Sequence, residues 1–287
     1  MDRLDSLPHA YKLARRDALP GGTIVRLPNG AAFGGDEIAI CAGPCSVESR
    51  EQIQATARAV AARGANVLRG GAFKPRTSPY AFQGLGLDAL KMLREAADGY
   101  AMAVVTEVLD PREVELVCAH ADMLQIGARS MQNFSLLREV GHSPKPVLLK
   151  RGISATIEEW LMAAEYLLVA GNRSIVMCER GVRSFDSATR NVLDIAAVPL
   201  LRSLTHLPIV IDPSHGTGIA KLVTPMSLAG IAAGADGLLV EVHPNPAAAA
   251  SDGEQSLAFD QFDALMQQVE IIARAIGRRI PAATLAA

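Results

Sequence analysis

The sequence predicts a (β/α)₈ TIM barrel of the α/β class, preceded by a short N-terminal β-hairpin. Short apolar runs rich in valine, isoleucine, leucine and alanine alternate with amphipathic stretches of helical period through roughly 240 residues. Eight such alternations match the eight strands and eight helices of a barrel. A doubly wound sheet is the alternative. It would usually have fewer strands and a Gly-x-Gly-x-x-Gly motif after the first strand, which this sequence lacks there.

The chain is expected to divide into an N-terminal extension at residues 1–36 and a catalytic barrel at residues 37–287. A length of 287 residues is enough for one barrel-sized core. Residues 1–21 are polar and predict a short helix or a tail.

A small hairpin is predicted next. The stretches 23–27 and 31–33 flank Pro28-Asn29-Gly30, and the Asn-Gly pair is expected to supply the positive φ angles of the turn. This hairpin is expected to cover the N-terminal end of the barrel, where loops serve stability rather than catalysis.

The barrel strands and helices follow in a regular rhythm. Strands are predicted near residues 37–42, 65–69, 101–106, 121–126, 146–150, 173–179, 208–212 and 236–242. Helices are predicted at residues 50–63, 85–98, 111–120, 156–170, 187–204 and 258–277, with shorter ones at 132–140 and 225–233.

The composition excludes several classes of protein. The net charge is −2, whereas a nucleic-acid or membrane-surface protein would need an excess of basic residues. No apolar run approaches the ~18 residues of a membrane span, and the N-terminus lacks the apolar centre of a signal peptide. The four cysteines are too sparse for a disulfide framework. A cytoplasmic location is therefore expected.

Every predicted strand ends in polar or reactive side chains. Barrel enzymes carry their chemistry on the C-terminal ends of the strands and on the loops that follow, here called the rim. The rim residues, in chain order, are Cys45, Arg69, Lys74, Arg76, Thr77, Glu107, Gln125, Arg129, Lys150, Glu179, Arg180, Asp212, His215, Glu241 and Asp252. A single charge at a strand end is usually a structural ion pair, but eight ends converging on one rim indicate a site.

Four of these residues could bind a metal. Cys45, His215, Glu241 and Asp252 follow the first, seventh and eighth strands, and the first and eighth strands are neighbours in a closed barrel. One thiolate, one imidazole and two carboxylates suit Mn²⁺, Fe²⁺, Co²⁺ or Zn²⁺ better than Mg²⁺. Without a spaced ligand motif, the residues alone leave open whether the cysteine and histidine are ordinary buried side chains.

The rim also concentrates positive charge. Its six cations are Arg69, Lys74, Arg76, Arg129, Lys150 and Arg180. One phosphate carries about −2 and one carboxylate about −1, so six cations exceed what one monophosphate needs. One or two of them are expected to pair with Glu107, Glu179 or Asp212. The surplus indicates two phosphorylated substrates, or one phosphate plus a carboxylate, on a metal-assisted enzyme.

Five segments of the sequence resemble the type Iβ subclass of 3-deoxy-7-phosphoheptulonate synthase (DAHP synthase). They lie at residues 42–49, 69–79, 125–133, 212–218 and 240–244 and read AGPCSVES, RGGAFKPRTSP, QIGARSMQN, DPSHGTG and VEVHP. The similarity runs from about Tyr11 to about Ala275. It implies a TIM barrel that condenses phosphoenolpyruvate with erythrose 4-phosphate at the start of the shikimate pathway.

The resemblance assigns roles to the rim residues. Cys45, His215, Glu241 and Asp252 match the metal ligands of the family. The groups matching the substrate site are Arg69, Arg76, Thr77, Glu107, Gln125, Arg129, Lys150, Arg180 and Asp212. Arg129, Lys150 and Arg180 match the groups that hold phosphoenolpyruvate. Lys74, Arg76 and Thr77 match the erythrose 4-phosphate motif. Lys74 matches the catalytic lysine, which is placed to protonate the alkoxide that emerges from the aldehyde.

Three alternative functions fit these residues less well. 3-Deoxy-manno-octulosonate-8-phosphate synthase typically has Lys-Ala-Asn-Arg where this chain has Lys74-Pro75-Arg76-Thr77. A class II type aldolase would need a metal set richer in histidine. A catalytically dead barrel would have lost a ligand or a substrate arginine, and no such loss is visible.

The resemblance also bears on partners. It implies small-molecule substrates, no nucleic acid and no membrane, a homodimer or homotetramer, and a possible separate regulatory chorismate mutase. Regulated members carry an added domain ahead of the barrel, whereas residues 1–36 are too short for one. The isolated chain is therefore expected to be insensitive to phenylalanine, tyrosine, tryptophan and prephenate.

Overall fold

The computed structural model describes residues 10–74 and 78–283. A hairpin of β1 (Val25–Arg26) and β2 (Ala32–Phe33) precedes eight parallel strands. These are β3 (Ala39–Gly43), β4 (Val67–Arg69), β5 (Ala103–Glu107), β6 (Met123–Ile126), β7 (Val147–Lys150), β8 (Ile175–Glu179), β9 (Ile209–Ile211) and β10 (Gly237–Glu241). They form a closed barrel in which β10 pairs with β3. The predicted barrel is confirmed, and each strand lies within two residues of its expected bounds.

Helices follow the strands, and most of them cover the outside of the barrel. They are α1 (Arg50–Ala61), α2 (Leu87–Asp98), α3 (Val114–Cys118), α4 (Phe134–His142), α5 (Ile157–Val169), α6 (Ala197–Leu204), α7 (Pro213–Thr217), α8 (Ala220–Ala232) and α9 (Phe259–Ala275). Their apolar faces pack on the outward-facing residues of the strands. No helix among the described residues is long and apolar enough to cross a membrane.

Three helix predictions need correction. The stretch 187–196, predicted as the start of a helix, is a loop. Its backbone forms hydrogen bonds with a distant segment instead of within a helix. The backbone N–H of Arg190 donates to Thr217 O at 2.9 Å, and that of Asn191 donates to Gly216 O at 3.1 Å. Pro225 lies inside α8 rather than at its start, so this helix begins five residues earlier than expected. The predicted helix at 111–120 contains a 3₁₀ turn, Pro111–Glu113, followed by the short α3.

The hairpin closes the N-terminal end of the barrel, as expected. Its Val25, Leu27, Ala31 and Phe33 are buried in one apolar cluster with the inward-facing side chains of the strands. Of the two positive φ angles expected in the turn, the structure has the one at Gly30 but not the one at Asn29. Gly30 has a φ of 91°, whereas Asn29 is not among the non-glycine residues with positive φ in the described chain. Asn29 instead uses its side-chain amide to donate to the carbonyls of residues 66 and 101, at 2.8 and 3.1 Å.

The segment before the hairpin is tied to the same end. Glu165 of α5 is buried, and its carboxylate accepts backbone N–H groups of Lys12, Leu13 and Ala14 at 3.0, 2.8 and 2.9 Å. Together with β1 and β2, this segment forms what we call the closed end of the barrel. The domain division at residues 36 and 37 stays a prediction.

Candidate active site

A cavity of about 290 Å³ opens at the rim. Nine of the predicted site residues line it: Arg69, Lys74, Glu107, Gln125, Arg129, Lys150, Arg180, His215 and Asp252. Cys45, Asp212 and Glu241 contact these lining residues directly. Arg76 and Thr77, predicted to bind the sugar phosphate, lie outside the described residues. The fold thus brings together at one rim side chains that are far apart in sequence.

The four candidate metal ligands cluster at one side of this cavity. Pairing of β10 with β3 sets Glu241 opposite Gly43, two residues before Cys45. One donor atom each from Cys45, Glu241 and Asp252 lies within 4.8 Å of the others. His215 joins from α7, with its Nε2 3.4 Å from Glu241 Oε1 and 4.0 Å from Asp252 Oδ2. Sulfur, imidazole nitrogen and carboxylate oxygen together suit a transition metal or zinc.

Local structure holds His215 in place. Asp212 caps α7, because its Oδ1 accepts the backbone N–H of His215 at 2.9 Å. The His215 Nδ1 lies 2.8 Å from Asp212 Oδ2, so the buried carboxylate directly faces this ring nitrogen. The Ser214 hydroxyl accepts the backbone N–H of Glu241 at 3.0 Å. The helix carrying the imidazole is therefore tied to the strand carrying the carboxylate.

Protonation in the cluster follows from burial and neighbouring charge. Burial, followed by the charge of Glu241, raises the pKa of the Cys45 thiol to about 12. Burial lowers the pKa of His215, whereas the charges of Asp212 and Glu241 act in the opposite direction. Loss of the ring proton is what a metal-ligating imidazole nitrogen needs. Burial alone would raise the pKa of Glu241, but His215 and Arg69 outweigh it and hold that pKa below its ordinary value. A divalent cation would favour the thiolate and balance the two carboxylates, so these residues fit a metal.

Two of the rim cations are paired with buried carboxylates. Lys150 Nζ donates to Asp212 Oδ2 at 2.6 Å, and Arg69 Nη1 donates to Glu241 Oε1 at 3.1 Å. The expectation that a cation would pair with Asp212 is confirmed. Glu179, expected as another partner, bonds instead to Arg151 at 2.9 Å. These pairs fix the direction in which the cations face the cavity.

Two other cations keep their charge available. Within residues 10–74 and 78–283, no carboxylate lies within ion-pair distance of Arg129 or Arg180. Arg180 is 5% exposed, and its Nη1 donates to the carbonyl of Gly181 at 3.3 Å. Burial lowers its pKa from the ordinary value of an arginine, and the charge of Asp212 works in the opposite direction. A buried guanidinium without a carboxylate partner, facing a polar cavity, is suited to hold an anionic ligand.

The sequence reading missed Arg190 and Gln255. Arg190 lines the cavity from the loop after β8, and its Nη1 lies 2.7 Å from Gln255 Oε1 and 3.6 Å from Asp252 Oδ1. It was overlooked because residues 187–204 read as one amphipathic helix. The available signal was the mostly polar run from Arg183 to Asn191, in which Phe185 and Ala188 are the two apolar residues.

Comparisons with known proteins agree with this geometry. The DAHP synthetase I family matches residues 22–275. A phospho-2-dehydro-3-deoxyheptonate aldolase of Thermotoga maritima is 53% identical over 270 residues, which cover 94% of this chain and 80% of the relative. The crystal structure of a T. maritima DAHP synthase has a TM-score of 0.92 at 52% identity, covering 95% of this chain and 80% of that one.

Two further similarities are informative. A truncated form of the T. maritima synthase has a TM-score of 0.88 at 48% identity, covering 94% of this chain and 98% of that one. A 2-dehydro-3-deoxyphosphooctonate aldolase of Bordetella petrii is 33% identical over 254 residues, covering 80% of this chain and 88% of the relative. The higher identity is with the heptonate enzyme.

Proposed function

The chain belongs to the DAHP synthetase I family, and from that premise we propose how its rim residues divide the work of the family reaction. The activity is that of a DAHP synthase of the type Iβ subclass, a transferase of aromatic amino acid and chorismate biosynthesis. Phosphoenolpyruvate, D-erythrose 4-phosphate and water give 3-deoxy-D-arabino-heptulosonate 7-phosphate and phosphate. This is the first step of the shikimate pathway.

The metal is assigned to the four-residue cluster. DAHP synthases are metal-dependent, and Cys45, His215, Glu241 and Asp252 would hold one Mn²⁺, Fe²⁺, Co²⁺ or Zn²⁺ ion. When bound, such an ion supplies Lewis acidity for the aldehyde carbonyl of the sugar phosphate. The support for this assignment is the chemistry of the donors and their convergence within a few ångströms.

Phosphoenolpyruvate is assigned to the cationic half of the cavity. Arg129, Lys150 and Arg180 would bind its phosphate and carboxylate, since all three line the cavity. Asp212 acts through Lys150, which it holds at 2.6 Å. Arg69, Glu107 and Gln125 complete the pocket, and the Gln125 amide donates to Glu107 Oε2 at 3.3 Å. Orienting two mutually repelling anions in this way contributes proximity and electrostatic stabilisation.

The sugar phosphate is assigned to the loop after β4. Arg76 and Thr77 would bind its phosphate. Lys74, at the start of this loop, reaches the metal cluster, with its Nζ 3.0 Å from Cys45 O and 2.9 Å from Cys45 Sγ. This ammonium group is therefore near the position of the reacting aldehyde.

The chemistry then follows from these positions. Carbon 3 of phosphoenolpyruvate attacks the aldehyde carbon, and Lys74 gives a proton to the alkoxide oxygen that forms. Water adds at carbon 2, and the phosphate departs as the ketone of the product forms. The observation that carries the proposal is the meeting of a mixed metal-ligand set with unpaired cations in one cavity.

The test compares two sugars. The purified chain is incubated with phosphoenolpyruvate and either erythrose 4-phosphate or arabinose 5-phosphate, with and without Mn²⁺, and phosphate release is measured. We expect Mn²⁺-dependent turnover with erythrose 4-phosphate. Preferred turnover of arabinose 5-phosphate would contradict the assignment of the sugar site and favour the octulosonate reaction.

Assembly and location are proposed on the family likeness. We propose a homodimer or homotetramer in the cytoplasm, on which a separate chorismate mutase could act as a regulatory partner. Light scattering during size-exclusion chromatography measures the assembly, and a monomer at micromolar concentration would contradict it.

A further inference from the structure

A buried side-chain amide, that of Gln255, contacts Glu241 of the metal cluster. Gln255 is 2% exposed and links two rim residues. Its Oε1 accepts from Arg190 Nη1 at 2.7 Å, and its Nε2 donates to Glu241 Oε2 at 2.7 Å. Arg190 comes from the loop after β8, whereas Glu241 ends β10, so the amide joins two separate parts of the rim.

The two neighbours determine how the amide is turned. A guanidinium can only donate hydrogen bonds, and an ionised carboxylate can only accept them. The oxygen of Gln255 must therefore face Arg190, and its NH₂ group must face Glu241. Any other side chain of this size would lose one of the two bonds or leave a buried charge without a partner.

This link constrains the carboxylate of Glu241. Because Oε2 is occupied by Gln255, the carboxylate presents Oε1 to the cluster, where His215 Nε2 lies 3.4 Å away and Arg69 Nη1 lies 3.1 Å away. One orientation of a buried ligand is thus selected by a residue that does not itself belong to the cluster.

Arg190 extends the same constraint to a second carboxylate. Its Nη1 lies 3.6 Å from Asp252 Oδ1, and the other oxygen, Oδ2, lies 3.2 Å from Cys45 Sγ. The backbone of Asp252 is in the left-handed region, with a φ of 50°, which aspartate adopts more readily than most residues with a Cβ. A charged contact from outside helps to hold this side chain toward the cluster.

We propose that Gln255 and Arg190 are positioning residues of the metal centre, which fix the carboxylates of Glu241 and Asp252 and thereby set metal affinity and coordination. The inference rests on the metal site proposed above. Gln255 acts through Glu241, and Arg190 acts both through Gln255 and directly on Asp252.

The experiment measures metal binding in the absence of substrates. Mn²⁺ affinity is determined by equilibrium dialysis for the wild-type chain and for Gln255→Met, Arg190→Met and Arg190→Lys. Loss of an outer partner of a metal ligand typically weakens metal affinity 10–100-fold, and we expect this range for Gln255→Met and Arg190→Met. Arg190→Lys keeps a cation beside Gln255 and should recover part of the loss.

A spectroscopic readout separates positioning from general destabilisation. Co²⁺ replaces Mn²⁺, and its visible absorption bands, which follow ligand geometry, should shift in Gln255→Met. The matched control is Asn172→Leu, which removes another buried amide, bonded to the carbonyls of Ser143 and Lys145. We expect lower thermal stability of this control with an unchanged Co²⁺ spectrum and unchanged Mn²⁺ affinity.

The outcomes distinguish the two proposals. A wild-type chain that binds no Mn²⁺ would overturn the metal site itself. A wild-type chain that binds one ion through Cys45, with Gln255→Met retaining wild-type affinity and spectrum, would overturn the positioning role alone. If Gln255→Met does not fold, the Arg190 pair decides, because that side chain is 37% exposed and its replacement is tolerated more easily. Equal affinities for wild type, Arg190→Met and Arg190→Lys would then contradict the inference.

Discussion

The two ends of the barrel differ in how their buried polar groups are partnered. At the closed end, Phe33 and its neighbours fill the barrel with apolar side chains, and the one buried carboxylate of α5, Glu165, receives three backbone N–H groups. At the rim, Arg180 is buried without a carboxylate partner among the described residues, and Cys45 lies against two carboxylates. At the closed end, the buried carboxylate is hydrogen-bonded within the protein. At the rim, the buried arginine and cysteine are suited to bind a substrate anion and a metal ion.

This contrast predicts that substitutions at the two ends should differ in their effects on stability and on catalysis. Apolar burial at the closed end contributes roughly 1.5–3 kcal/mol for each large side chain. Charges buried at the rim without partners cost stability, and ligands compensate them only when bound. Changes at the closed end should therefore affect unfolding more than catalysis, and changes at the rim should do the reverse.

The largest effect is expected from removal of the metal. A chelator should lower turnover by at least about 10³-fold, because Lewis-acid polarisation of the aldehyde is worth several kcal/mol, and added Mn²⁺ or Co²⁺ should restore it. Cys45→Ala should weaken Mn²⁺ binding while its unfolding transition stays close to that of the metal-free wild type. Oxidants should inactivate the enzyme through the same sulfur. Full activity in a metal-free, chelated sample would contradict the proposed metal dependence of the reaction at the rim.

Phe33→Ala should show the opposite pattern. The ring is fully buried, so its loss should lower the free energy of unfolding by about 3–5 kcal/mol. Chemical denaturation measures this change, and kcat/KM per folded molecule should stay within about twofold of wild type. A large loss of kcat/KM in well-folded protein would mean that the two ends are coupled.

Arg180→Met should affect the two properties in opposite directions. Loss of one charge-assisted bond to phosphoenolpyruvate should lower kcat/KM for that substrate by roughly 10–100-fold. The same change removes a buried, unpaired guanidinium, so the free energy of unfolding without substrate should rise by about 1 kcal/mol. Thermal unfolding with and without phosphoenolpyruvate measures both effects. A variant that loses stability in the absence of substrate would show that this arginine is structural.

Arg76→Ala tests whether the two substrates use different parts of the rim. It should raise KM for erythrose 4-phosphate by roughly 10-fold or more, since a charge-assisted phosphate contact is worth about 1.5–3 kcal/mol, and leave KM for phosphoenolpyruvate nearly unchanged. Steady-state kinetics with each substrate varied in turn gives both constants. Equal weakening of both substrates would mean that the role is misassigned.

The smallest effect is expected at the closed end. Ala101, in the loop between α2 and β5, has a φ of 51°, which disfavours any residue with a Cβ. Ala101→Gly should relieve this strain and raise the free energy of unfolding by about 0.5–1 kcal/mol, partly offset by the greater freedom of glycine when unfolded. Activity should not change. A loss of stability would show that the Cβ makes a contact worth more than the strain.

Much of the fold could be predicted because each strand is specified by residues that are adjacent in the sequence. In β7, the apolar run Val147, Leu148 and Leu149 is short and lies between Pro146 and Gly152, and this length and these flanking residues favour a strand. The rim residues follow from the same logic, because parallel strands place all their C-terminal ends on one edge. The likeness of DPSHGTG and its companion segments to DAHP synthases supplied the ligand set, which spacing alone left open.

By itself, the sequence determined the barrel, the hairpin that closes it and the chemical types gathered at its rim, because each depends on residues close along the chain. Only the tertiary structure decided that residues 187–196 form a loop and that Arg190 reaches Gln255, 65 residues away. An amphipathic stretch forms a helix unless distant partners bond its backbone, and here Gly216 and Thr217 do so. No local pattern encodes such partners, since they meet only when β8, β9 and β10 are assembled side by side.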